Sequence, residues 1–244
     1  MLSAFTLGSI GAEGRSFIPD LAQADGGSMA SAFLGGVIFN AANILLSAAI
    51  ALSGMSVAFP VGVGLALVLG VLVNYFSAAK GDPRFIFLGV ALIAAAIVMN
   101  GIAYKKAQTG QRKTPTKGIL IAVAAGVIMA FFYRFVAASM DLDDFVSPAP
   151  GKLTPYTAVF IFATGVFASN FLFNTVAMKR PVEGPPVRIA DYFRGGVRTH
   201  LVGILGGTIW CIGTSLSMIA SGKAGAAISY GLGQGATLVS ALWG

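Results

Sequence analysis

Phe33-Leu34-Gly35-Gly36-Val37-Ile38-Phe39 returns 171 residues later as Ile204-Leu205-Gly206-Gly207-Thr208-Ile209-Trp210. Ala58-Phe59-Pro60-Val61-Gly62-Val63-Gly64 returns as Ala227-Ile228-Ser229-Tyr230-Gly231-Leu232-Gly233, at an offset of 169. Both copies lie in long apolar stretches, and counting those stretches places the copies five membrane crossings apart. An odd number of crossings turns the second copy upside down relative to the first. Inverted repeats of this kind build secondary transporters, whose substrate site lies at the repeat interface near the membrane midplane.

Composition agrees with a membrane setting. Of 244 residues, 56% are hydrophobic and 10% charged, and the mean hydropathy is +0.83. Soluble domains carry about 25% charged residues. The 32 glycines suit membrane helices, where a missing side chain lets backbones approach. The net charge of +7 sits in loops, with no basic face interleaved with aromatics, which argues against nucleic acid as a partner. Cys211 is the one cysteine; it excludes an internal disulfide and has no neighbour at metal-ligand spacing.

Crossing the hydrocarbon takes about 20 apolar residues. Seven spans are expected, at 29–53, 58–78, 84–104, 118–140, 155–178, 200–221 and 224–244, with residues 1–11 as the tail of an eighth. The second repeat has two helices before its Gly-Gly motif where the first has only that tail. The first repeat continues past its Gly-x-Gly segment where the second stops. The expected fold is therefore an all-α polytopic membrane protein with a five-plus-five inverted repeat, incomplete at both ends. The repeats cover residues 1–104 and 118–244, joined by a basic linker at 105–117.

Loop charge sets the expected orientation. Lys105, Lys106, Arg112, Lys113 and Lys117 crowd the linker, and Lys179, Arg180, Arg188, Arg194 and Arg198 outnumber Glu183 and Asp191 in the next loop on that side. Positive loops stay in the cytoplasm, which places the protein in the plasma membrane with these loops inside. Glu13, Asp20, Asp25, Asp141, Asp143 and Asp144 then mark the outer side.

Few ionisable groups fall inside spans, where a charge is costly and usually functional. Arg134 is the exception; it reads as an arginine snorkelling from an aromatic belt, or as a contact for an anionic substrate. No acid lies mid-span. Cofactors are not expected, and coupling to protons or sodium is left open. Uncharged polar groups are abundant: Asn40 and Asn43 share a helix face, as do Asn170 and Asn174. Asn74, Trp210, Thr214 and Gln234 complete the candidate substrate-binding set. Interhelical hydrogen bonding is the competing explanation for each asparagine. Together they suit a neutral, hydrogen-bond-rich solute, with Trp210 able to stack on a ring or sugar face.

Pro60, Gly62, Gly64, Gly231, Gly233 and Gly235 form a helix-packing or gating set. Pro60 fits a first helical turn or breaks the helix near the cavity. The Gly-x-Gly runs lack the strand and the Lys-Ser/Thr of a phosphate loop.

The Gly-Gly helix, the Ala58–Gly64 segment with Asn74-Tyr75, and the run Ser229-Tyr230-Gly231-Leu232-Gly233-Gln234-Gly235-Ala236-Thr237-Leu238-Val239-Ser240-Ala241-Leu242-Trp243-Gly244 resemble the drug/metabolite transporter superfamily. Within it the chain looks most similar to the glucose/ribose porter and ureide permease branch. That resemblance implies a ten-helix inverted-repeat permease for sugars or neutral nitrogen-rich heterocycles such as allantoin and uracil. The function expected is secondary-active permeation of a small neutral polar solute by alternating access, not enzymatic catalysis. The partners expected are that solute and the lipid bilayer, with a homodimer left open. The rivals are an efflux pump of the same superfamily, expected to have an apolar, aromatic cavity, and a non-transporting receptor or scaffold.

Overall fold

The computed structural model describes residues 2–6, 8–9, 14–107 and 116–240. Most of the basic linker and the closing Trp243-Gly244 lie outside the described residues. Ten helices follow in order: α1 (Leu2–Phe5), α2 (Phe17–Gln23), α3 (Gly26–Ser53), α4 (Met55–Ser77), α5 (Pro83–Ala107), α6 (Thr116–Ser139), α7 (Pro155–Lys179), α8 (Ile189–Phe193), α9 (Val197–Ala224) and α10 (Ala226–Ser240). Strand structure among the described residues is limited to one Met140–Leu153 bridge. Seven helices coincide with the seven expected spans. Five of them, α3, α4, α6, α7 and α9, are long and apolar enough to cross a membrane. In α5 the apolar stretch is shorter, at Pro83–Met99, and α10 is described over 15 residues.

The helix ends follow local chemistry. Asp25 caps α3, its carboxylate accepting from the Ser28 backbone N–H at 2.6 Å, which satisfies a donor left open at every helix start. Proline opens α7 at its first turn, and Thr154 precedes it at the cap. Gly54 (φ 76°) ends α3 and Gly225 (φ 83°) ends α9, each followed at once by the next helix. Only glycine takes this backbone region freely. Helices α3 and α9 are both 28 residues long. The first-turn placement of Pro60 needs correction. Because Gly54 lets α4 begin at Met55, Pro60 falls in the second turn, and the helix runs on through it.

Packing centres on α3, which lies against α6 and α7, while α4 bridges α6 and α10. The contacts are made by glycine. A Cβ on Gly35 would meet Val136 at 2.7 Å and the Phe132 carbonyl at 3.0 Å. Gly36 abuts the Phe162 carbonyl, Gly165 abuts that of Phe33, and Gly126 that of Gly62. A Cβ on Gly62 would also meet Leu46, and one on Gly64 Ile97, each at 2.8 Å. In α10, a Cβ on Gly231 would lie 3.1 Å from Val71 and one on Gly235 3.7 Å from Leu67. Helices in lipid gain little from hydrophobic burial and rely on such close approach.

The second Gly-Gly copy behaves differently. Gly203, Gly206, Gly207 and Gly213 meet nothing within 4 Å, and α9 is exposed along its first half.

Asp20, one of the acids that mark the outer side in the loop-charge reading, has a side chain that is 0% exposed. It accepts from Arg15 Nε at 3.2 Å, and from the Thr154 N–H and hydroxyl at 2.9 Å each. Arg15 also donates to the carbonyls of Pro148 and Lys152, and Gln23 spans the same loop. A buried carboxylate is tolerable only when its oxygens are satisfied in this way. The two short helices α2 and α8, absent from the expected spans, lie in loops, and α2 serves to carry Asp20.

The glycine contacts give a paired prediction. Gly36→Ala drives a methyl into the Phe162 carbonyl and should destabilise the fold by about 1–3 kcal/mol. The repeat-related Gly207→Ala should leave the detergent melting temperature unchanged or slightly raised. Equal melting of the two variants would contradict the packing described.

Candidate functional site

Helical periodicity builds the central cavity. Trp210, Gly213, Thr214 and Ser217 recur at three- and four-residue steps and so line one face of α9. Tyr230, Gly233 and Gln234 do the same on α10, and Phe132 and Tyr133 of α6 close the third wall. The enclosed volume is about 270 Å³. Tyr133 donates its hydroxyl to the Ser217 carbonyl at 3.0 Å. Ser217 in turn donates to the Ser229 carbonyl at 2.9 Å. Tyr230 reaches past Gly70 to donate to the Ala66 carbonyl at 2.9 Å. Its ring meets that of Tyr133 edge-on, with centroids 5.6 Å apart.

With the tyrosine and Ser217 hydroxyls donating to carbonyls, Thr214, Gln234 and the Trp210 indole N–H carry the cavity's open hydrogen-bonding capacity. None of these three side chains hydrogen-bonds to another described residue. Gly233 keeps α9 and α10 together, since a Cβ there would lie 3.2 Å from the Ser217 hydroxyl. The lining residues carry no charge.

The sequence-derived candidates therefore divide into three places. Trp210, Thr214 and Gln234 meet around this cavity. Asn40, Asn43, Asn170 and Asn174 line a separate cleft of about 440 Å³ between α3 and α7. Asn40 is buried there, donating to Ser169 Oγ at 2.9 Å and to the Val166 carbonyl at 3.3 Å. Asn174 donates to Asn170 at 2.8 Å. Asn74 belongs to a third space, a wide vestibule of about 970 Å³ at the end of the bundle that bears the 140–154 loop. Its amide donates to the Gly70 carbonyl at 2.8 Å. Arg134 lines the same vestibule with no partner among the described residues. Phe132, Tyr133, Gly213, Ser217 and Tyr230 are the cavity residues outside the candidate set. Helical steps from Trp210 and Thr214 point to Gly213 and Ser217, and the i, i+4 step from Gln234 points to Tyr230.

The vestibule wall depends on Asp141, whose carboxylate accepts backbone N–H groups from Ala149, Asp143 and Asp144 at 3.0, 3.2 and 3.4 Å. These bonds, Ala149 first, hold its carboxyl below the ordinary value of 3.8. Bonds that favour the ionised form stabilise the loop fully above that ordinary value. The contribution is lost as pH falls through the lowered one. An environment-sensitive probe at Ser147→Cys, with Cys211 replaced by serine, should report an ordered loop at neutral pH and a mobile one in strong acid. With Asp141→Asn added, the mobile signal should persist at every pH.

Comparison with known proteins places these features in a family context. The family model for ureide permease matches residues 1–117. Ureide permease 3 of Arabidopsis thaliana is 24% identical over 214 residues, which cover 76% of this chain and 61% of that protein. Ureide permease 2 of the same plant is 23% identical over all of this chain and 77% of its own length. Ureide permease 1 is 24% identical over all of this chain and 76% of its own length. The chain thus spans about three fifths to three quarters of these relatives. No solved structure matches it significantly. The resemblance carried by the Gly-Gly helix and the tail motif is borne out: over its whole length this multi-pass membrane chain is similar to the ureide permeases, a family of transporters and not of enzymes.

Proposed function

We propose that the chain is a secondary-active permease that moves a small neutral heterocycle of the ureide or nucleobase type by alternating access. The observation that carries this reading is the central cavity, with four aromatic side chains, the uncommitted polar groups of Thr214, Gln234 and the Trp210 indole, and no charge. Aromatic faces hold a planar ring, and a glutamine amide offers both donors and an acceptor to its carbonyl and N–H edges. The names of the relatives support the same solute class over a sugar.

The five-plus-five inverted repeat is part of the reading. Its supports are the equal length of α3 and α9, the matched glycine endings, and the Gly-Gly motif at one offset. On the positive-inside argument, the 140–154 loop faces outward and the protein sits in the plasma membrane, with proton or sodium coupling and a homodimer as open additions. The aromatic lining is also what an efflux pump for lipophilic cations would show. Thr214 and Gln234, together with the lack of a carboxylate in the lining, favour the neutral solute.

Thermal shift in detergent separates the two, because a ligand of the folded state raises its melting temperature. Allantoin or uracil should produce the shift and tetraphenylphosphonium should not. Gln234→Ala should weaken binding about tenfold, or ~1.4 kcal/mol. A shift with the lipophilic cation alone would overturn the uptake reading.

A further inference from the structure

Phe39 and Trp210 occupy equivalent positions in the 171-residue repeat, and each is the fourteenth residue of a 28-residue helix. Their rings stack directly, with centroids 4.7 Å apart and planes inclined by 25°. Two residues exchanged by a two-fold rotation can touch only beside its axis. If the repeats are related by such an axis in the membrane plane, it passes through this stack, at half the length of both helices. Phe132 and Phe162 pack on Phe39 and hold it in place.

The two faces of the stack differ. Trp210 lines the inner end of the central cavity. Next to Phe39 along α3 begins the cleft of Asn40, Asn43, Asn170 and Asn174, which opens toward Arg180 and Glu183 at the other end of the bundle. Asn40 is bound to α7, and Asn174 leans on Asn170. The Asn43 carboxamide is exposed and has no partner among the described residues. Asn170 and Asn174 are exposed as well and keep unused donors and acceptors. A row of carboxamides offers the same donor and acceptor pairs as a ureide or nucleobase presents.

We propose that this asparagine-lined cleft is a second solute station, for a neutral carbonyl- and N–H-bearing solute, reached from the cavity when the Phe39–Trp210 stack parts. The inference rests on the permease reading given above. It assigns the cavity to capture on one side of the axis and the cleft to release on the other. The stack between them keeps the two from being open to each other at once.

The test uses the full-length protein, purified and reconstituted in liposomes, with radiolabelled allantoin as the probe. Asn43→Ala/Asn174→Ala changes two exposed side chains, and its folding is checked by gel filtration. The double variant should bind allantoin in detergent within twofold of the parent yet transport it at least tenfold more slowly. Asn43→Gln, which keeps a carboxamide, should restore part of the rate in the Asn174→Ala background. Should the double variant not fold, the single Asn43→Ala and Asn174→Ala proteins carry the same comparison.

Parent-like transport by the double variant would overturn the second station and leave the cavity reading standing. Loss of equilibrium binding in the double variant would also overturn it, by making the cleft the primary site. Allantoin binding that is unaffected by both Gln234→Ala and Thr214→Ala, by contrast, would count against the cavity reading itself.

Discussion

The structure depends on backbone-to-backbone approach at two glycine crossings. Where α3 meets α7, Gly36 and Gly165 each lie against a carbonyl of the opposite helix, and Gly126 of α6 lies against the Gly62 carbonyl of α4. In a bilayer, water cannot drive helices together, so the energy comes from dense van der Waals contact and a few polar bonds. Any side chain larger than hydrogen at these points would hold the axes apart and thin every contact along the crossing. Asn40 adds the polar component, clasping Ser169 beside the Gly36–Gly165 crossing. The tightest part of the bundle is thus where α3, α4, α6 and α7 meet. The looser α9 and α10 close the cavity against it.

That division explains why the cavity lies where it does. Tyr133 and Tyr230 are nearly fully buried, and each sends its hydroxyl to a carbonyl on another helix. They fix the cavity's shape while keeping their own polar atoms out of it. Thr214 and Gln234 project from the less constrained pair of helices. On the proposed permease reading, recognition chemistry sits on the elements with fewer packing partners, the parts that would move against a scaffold.

Much of this was readable from residue order. Among the described residues, helices stand where the apolar stretches predict them, five of them long and apolar enough to cross a membrane, since apolar length and turn residues act locally. Trp210 and Thr214 share one space because helical period puts them on one stripe of α9, which α10 brings Gln234 against. What residue order did not disclose was neighbourhood. The asparagines read as one polar set, yet the α3 pair and Asn74 face different spaces, because periodicity gives a face and not the helix opposite it. Phe132, Tyr133 and Tyr230 look like core or belt aromatics until α6 and α10 are brought together. Asp20 reads as one more outer-side loop charge because Thr154, which takes up its second oxygen, lies 134 residues away. Its burial comes from tertiary contact, which overrides the local preference for water.

The links at Gly54 and Gly225 carry a mechanical consequence. Each joins two long helices through a single residue, and a one-residue joint has too little contour length to let its arms slide past each other. The pairs α3–α4 and α9–α10 are therefore coupled levers that can tilt as units or open like a hinge. Shear between helices has to be taken up elsewhere, in the connections at 78–82 and 180–196, which contain Gly81, Pro181, Gly184, Pro185 and Pro186. The chain's kinematics are thereby set by connector length: four long helices reduce to two articulated bodies.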